Sequence, residues 1–111
     1  MLPAPMAFAR FMGAASLDHA VPGVGLTVNG PVRELRLYFT IGVIAASSSV
    51  ELTNPAGAAI AASRPVGDPS DQSVVIVNLR QALPPGTYGV SWHMISINER
   101  RSSGTYRFTV S

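Results

Sequence analysis

Residues 83–110 read LPPGTYGVSWHMISINERRSSGTYRFTV, and they spell two strands. After the Pro84-Pro85-Gly86 turn, Tyr88, Val90, Trp92 and Met94 alternate with Gly89, Ser91, His93 and Ile95. That period of two arises when one face of a strand is buried. From Gly104 to Val110 the alternation resumes, with Tyr106, Phe108 and Val110 set against Thr105, Arg107 and Thr109. A tyrosine just past a turn and leading into such a strand predicts a tyrosine corner, its ring buried and its hydroxyl anchored on upstream backbone. Met94 shares the face of Tyr88, Val90 and Trp92, which assigns it to the core rather than to a soft-metal site.

Upstream, the chain continues as short strands separated by turns. Val32 to Thr40 sets Leu35, Leu37 and Phe39 against Arg36 and Tyr38, and Ser48 to Thr53 places Val50 and Leu52 on one face. Asn54-Pro55-Ala56-Gly57 is a turn signal before Ala58 to Ser63. Arg64 to Gln72, with Pro65, Gly67, Asp68, Pro69 and Asp71, is expected to be a loop. The valine-rich run Ser73 to Leu79 reads as a central strand. With Leu17 to Val21 as the opening strand, the total is about seven, the density of an all-β, immunoglobulin-like Greek-key sandwich. No helix of ordinary length is expected, because the alanines near 45 and at 58–62 lie among β-branched residues, prolines and glycines.

A chain of 111 residues fits one domain with a modest core. With 47% hydrophobic and only 13% charged residues, its surface must rely on Ser, Thr, Asn and small apolar groups. Net charge is +2, and all eight basic residues are arginine. These are scattered apart from the adjacent Arg100 and Arg101, which argues against nucleic-acid binding. The absence of cysteine removes disulfides, thiolate metal sites and cysteine nucleophiles. Two histidines and six carboxylates give no catalytic motif, so no enzyme is expected. Ser96, Ser102 and Ser103 bracket the cation pair in what reads as a solvated loop.

Residues 1–13 read as a leader or disordered segment ahead of a domain at 14–111. Ala7-Phe8-Ala9 offers an A-x-A cleavage pattern, although Pro3 and Pro5 break the apolar run before it and no basic residue precedes it. No stretch approaches the roughly 20 apolar residues of a membrane span.

The two final strands and their junction resemble the CopC/PcoC family of copper-resistance proteins, which read P-G-x-Y-x-V-x-W, then S-x-D-x-H, then S-G-x-Y-x-F-x-V. LDHAVPGVG (Leu17 to Gly25) looks like that family's opening, and VRELRLYFT (Val32 to Thr40) like its second strand. The resemblance implies a CopC-like sandwich outside the cytoplasm, in the periplasm or secreted. It also implies Cu(II) as cofactor, a role in copper tolerance or uptake, and a membrane copper transporter of the CopD type as partner; a monomer is expected. Family members hold Cu(II) through a histidine in H-A-x-L and through the Asp and His of S-x-D-x-H. Here those three positions are Ala14, Asn98 and Arg100. Asn98 lacks the carboxylate charge and Arg100 puts a permanent cation where a metal cation would sit. The resemblance therefore implies a family fold with a degenerate or altered metal site.

The remaining metal-ligand candidates are Asp18 with His19, an imidazole and a carboxylate near the opening strand, and His93 on the outward face of its strand. Beside them stands a plain reading, in which Asp18 and His19 form a surface pair and His93 is a surface strand residue. Two functions follow: a CopC-type copper carrier, or a non-metal interaction module that uses the Ser96–Ser103 loop with Arg100 and Arg101.

Overall fold

The computed structural model describes residues 13–111; the A-x-A reading at residues 7–9 lies outside them. Two sheets face each other. One has the order β1 (Leu17–Val21), β3 (Glu34–Phe39), β7 (Asp71–Asn78), β6 (Val66–Asp68). The other runs β2 (Thr27–Val28), β9 (Arg101–Val110), β8 (Gly86–Ile95), β4 (Ser49–Thr53), β5 (Ala59–Ile60). One 3-10 turn, Ala45–Ser47, precedes β4. The chain changes sheet between β1 and β2, β2 and β3, β3 and β4, β5 and β6, and β7 and β8, so hydrophobic faces from distant segments meet in a single core.

The inward faces are those the alternation indicates. Tyr88, Val90, Trp92 and Met94 of β8 and Tyr106, Phe108 and Val110 of β9 are buried, as are Leu35, Leu37 and Phe39 of β3. Each fully buried aliphatic side chain contributes about 1.5–3 kcal/mol relative to exposure. Phe39 meets Trp92 edge-on at 5.1 Å, and Tyr88 stacks on Phe108 at 5.7 Å. The tyrosine corner is present: the Tyr88 hydroxyl donates to the Pro84 carbonyl at 2.5 Å. The central-strand reading of the valine run also holds, since β7 lies between β3 and β6.

Among the described residues nine strands replace the seven expected. The additional ones are β2 and β6, and β6 falls inside the segment read as a loop, Arg64 to Gln72. Val66 and Gly67 pair with Ile76 and Val75 despite the flanking prolines. Pro65 and Pro69 lie outside the three paired residues, and β6 is an edge strand, where proline is tolerated. Ala58 to Ser63 shortens to Ala59–Ile60, with Ala62 bridging separately to Leu79.

Candidate functional site

The β8–β9 connection is a short, self-bonded turn. Ser96 donates its N–H to the Arg100 carbonyl at 2.9 Å, and Glu99 donates to the Ser96 carbonyl at 2.8 Å. The Ser96 side chain is fully buried. Its hydroxyl lies against Asn98 Oδ1 and accepts the Arg100 N–H at 3.1 Å. Glu99 adopts φ 64°, the left-handed region that L-residues enter at a cost. The expectation of a solvated loop from Ser96 to Ser103 is therefore corrected. Ser96 is core, and Ser102 and Ser103 belong to β9, which begins at Arg101 because Ile95 and Met94 of β8 extend the pairing that far.

Asn98 closes this turn against the start of the domain. Its amide nitrogen donates to the Gly13 carbonyl at 3.1 Å, while its amide oxygen faces the Ser96 hydroxyl. An amide can serve a carbonyl and a hydroxyl at once, whereas an ionised carboxylate has no proton for the carbonyl. Ala14 adjoins Gly13 and offers no donor atom, and Arg100 is exposed beside the turn. The residues at these three positions do not fit a cupric ion: they supply an amide already engaged with backbone, a methyl group and a fixed cation.

The other candidates are separated by the fold. His19 Nδ1 lies 2.8 Å from Asp18 Oδ2, and its ring stacks on Tyr38 at 4.1 Å on the outer face of the four-stranded sheet. This leaves Nε2 without a partner among the described residues, with the carboxylate orienting the ring as metal-binding histidines are commonly oriented. His93 is exposed on the outer face of the five-stranded sheet, opposite Ser49 and Ser103. The structure thus unites Asp18 with His19 and sets His93 on the opposite side of the sandwich. Among the described residues no group of three or more His, Cys, Asp or Glu side chains converges. Met94 is fully buried.

A cleft of about 510 Å³ opens between β1 and β9. Trp92 and Tyr106 line it together with Leu17, Asp18, Ser102 and Gly104. The sequence alone suggested a solvated loop at Ser102 and did not single out the Tyr106 hydroxyl. The β9 parity contains the signal, because Ser102 is two residues before Gly104 and four before Tyr106, on the inward face. Neither hydroxyl has a hydrogen-bond partner among the described residues, and burial pushes the Tyr106 phenol well above its ordinary range, which keeps it neutral.

Comparison with known proteins agrees with this architecture. The CopC domain family model matches residues 17–111. The chain belongs to the CopC family. It is similar to protein YobA of Escherichia coli K12, with 32% identity over 96 residues covering 86% of this chain and 77% of that protein. PcoC, a methionine-rich copper resistance protein from Escherichia coli, superposes with a TM-score of 0.81 at 25% identity, over 89% of this chain and 100% of PcoC. CopC from Methylosinus trichosporium OB3b shares the fold, with a TM-score of 0.80 at 24% identity over 87% of this chain and 93% of that one. Within the CopC family, then, this member has the family's sandwich, with its junction turn filled by Asn98, Glu99 and Arg100.

Proposed function

We propose that this chain is an extracytoplasmic copper-handling protein of the CopC type, acting in copper tolerance or uptake through an altered metal site. The observation that carries the reading is the CopC domain spanning residues 17–111, supported by the superposition on PcoC. Copper is cargo in this scheme, passed to or from a membrane copper transporter of the CopD type, with the chain working as a monomer. Asp18 and His19 form the imidazole–carboxylate pair left to receive it, and His93 is a separate, single-ligand position. One imidazole, offering Nε2 while the Asp18 carboxylate holds its Nδ1, binds Cu(II) far less firmly than a full tetragonal set. A titration with Cu(II), read by Trp92 fluorescence and the copper d–d absorption against glycine, tests this. Weak one-to-one binding that disappears in His19→Ala is expected, and absence of stoichiometric binding at micromolar copper sinks the carrier reading.

A second reading rests on the cations. Arg100 and Arg101 are exposed and form no ion pair among the described residues, beside a turn closed by Asn98. On this reading the chain is an interaction module whose junction meets a protein or an anionic group. Loss of partner or anion binding in the Arg100→Ala, Arg101→Ala double variant is its expected signature, and unchanged binding rules it out.

A further inference from the structure

Sheet edges are where a sandwich has backbone donors and acceptors to spare, and most edges of this one are blunted. β6 is three residues long and flanked by Pro65 and Pro69, β5 is two residues long, and β1 has a register irregularity between Leu17 and His19. Short strands, prolines and bulges all discourage pairing with another chain. β9 differs. Its neighbour β2 covers only Thr109 and Val110, and Gly25 N–H reaches the Arg107 carbonyl at 2.7 Å. From Arg101 to Thr105 it has β8 on one side and, among the described residues, no strand on the other.

The direction of the free groups follows from the ladder. In an antiparallel pair, alternate residues turn both their N–H and C=O toward the partner or away from it. Because the Arg107 carbonyl points away from β8, to Gly25, so do the backbone groups of Thr105, Ser103 and Arg101. None of these groups has a backbone partner across that edge among the described residues. The rail lies directly beside the cleft between β1 and β9. There Gly104 leaves room for the Trp92 indole, and the Tyr106 and Ser102 hydroxyls are buried without a hydrogen-bond partner among the described residues.

The geometry points to an added-strand docking site: β9 residues Arg101 to Thr105 receive an extended acidic segment of a partner protein, which continues the five-stranded sheet. The strand's backbone pairs with Arg101, Ser103 and Thr105, and its alternate side chains divide between two surroundings. Inward ones, small and aliphatic, enter the cleft beside Trp92. Outward ones are acidic, because Arg101 and Arg107 are exposed on the outer face with no ion pair among the described residues, and Arg100 stands at the rail's entrance. A second copy of this chain is a poorer occupant, since edge-to-edge pairing brings the arginines of both copies to one face. The inference extends the interaction reading of Arg100 and Arg101 and is independent of copper.

The probe is a labelled peptide, acetyl-Gly-Glu-Val-Glu-Val-Glu-Gly-amide, compared with its lysine counterpart and with a version N-methylated on alternate residues. Binding to the full chain is followed by anisotropy and by amide hydrogen exchange. The acidic peptide is expected to bind at least tenfold more tightly than the lysine one, slow exchange at Arg101, Ser103 and Thr105, and fail when N-methylated on its pairing edge. Ser103→Pro removes one outward N–H without touching the β8 ladder and should weaken binding at least tenfold. No binding overturns the proposal. Binding that ignores both N-methylation and Ser103→Pro, yet is lost in the Arg100→Ala, Arg101→Ala variant, overturns the added strand and leaves the simpler loop reading standing. Slowed exchange at these amides without peptide, rising with protein concentration, makes the occupant a second copy and equally overturns it.

Discussion

The side-chain amide of Asn98 donates to the backbone carbonyl of Gly13, 85 residues earlier in the chain, at 3.1 Å. This bond ties the entry of the domain to the β8–β9 turn at the position where the CopC family motif has an aspartate. Asn98→Asp removes the donor and sets a carboxylate against a carbonyl oxygen. A loss of about 1 kcal/mol is expected at neutral pH, read as a lower urea midpoint. The loss should shrink below about pH 4, where the carboxyl regains a proton to donate. If the turn is otherwise sound, the triple variant Ala14→His, Asn98→Asp, Arg100→His should gain one-to-one Cu(II) binding that the parent lacks at that position. Calorimetry with copper showing no gain would mean that more than ligand identity separates this member from its family's motif.

The tyrosine corner offers a cleaner energetic measurement, because Tyr88→Phe removes one oxygen and leaves the ring stacked on Phe108. The interaction deleted is the hydroxyl's bond to Pro84. A destabilisation of about 0.5–1.5 kcal/mol is expected, whereas Tyr88→Ala, which opens a cavity at a residue only 2% exposed, should cost roughly 3–5 kcal/mol. Equal losses for the two substitutions would show that the corner's anchor, and not its ring, carries the position.

The long strands were legible because burial imposes a period of two on them: β8, β9 and β3 bury the residues that the alternation marks. β2 and β6 were not legible. Two or three residues carry no measurable period, and what makes Val66 a strand residue is Ile76, which pairs with it from β7. Ser102 and Ser103 were hidden by composition, since a serine pair beside an arginine pair looks like loop until the register with Met94 and His93 is known. The candidate site was partly legible. Adjacency in sequence suggested the Asp18–His19 contact, but the distance between His19 and His93 depends on which sheet each strand joins, and no spacing in the sequence encodes that. The Asn98–Gly13 contact likewise joins opposite ends of the domain.

Acid should loosen one edge before the rest. The Asp68 carboxylate is held below its ordinary range by the Ser70 backbone N–H and hydroxyl and then by Arg36, and that of Asp71 by the Ser73 hydroxyl and backbone N–H. Both groups are depressed on folding, so their stabilisation is complete above the unfolded value near 3.9 and fades as pH falls through the folded ones. The melting temperature should therefore drop on going below about pH 4, and Asp68→Asn with Asp71→Asn should flatten that fall while lowering the plateau at pH 6–7. A parallel acid limb in parent and variant would place the acid sensitivity elsewhere.

Gly104 tests how tightly the cleft end of the sheet is built. A Cβ on this residue would lie 2.6 Å from Trp92 Cζ2 and 2.8 Å from Cε2, closer than any real carbon contact. The indole has little freedom to yield, since it is 6% exposed and its other side meets Phe39 edge-on. Gly104→Ala should therefore cost about 1–3 kcal/mol, the usual penalty for overpacking. Trp92 is the single tryptophan in the chain, so its emission reports the displacement directly: a red shift is expected if the ring is pushed toward the cleft. Thr105→Ala, one residue along but on the exposed face, should leave the emission unchanged. A destabilised Gly104→Ala protein with unshifted emission would mean that the backbone of β9 moves instead, and exchange at the Arg101, Ser103 and Thr105 amides would then show how far the edge has been carried.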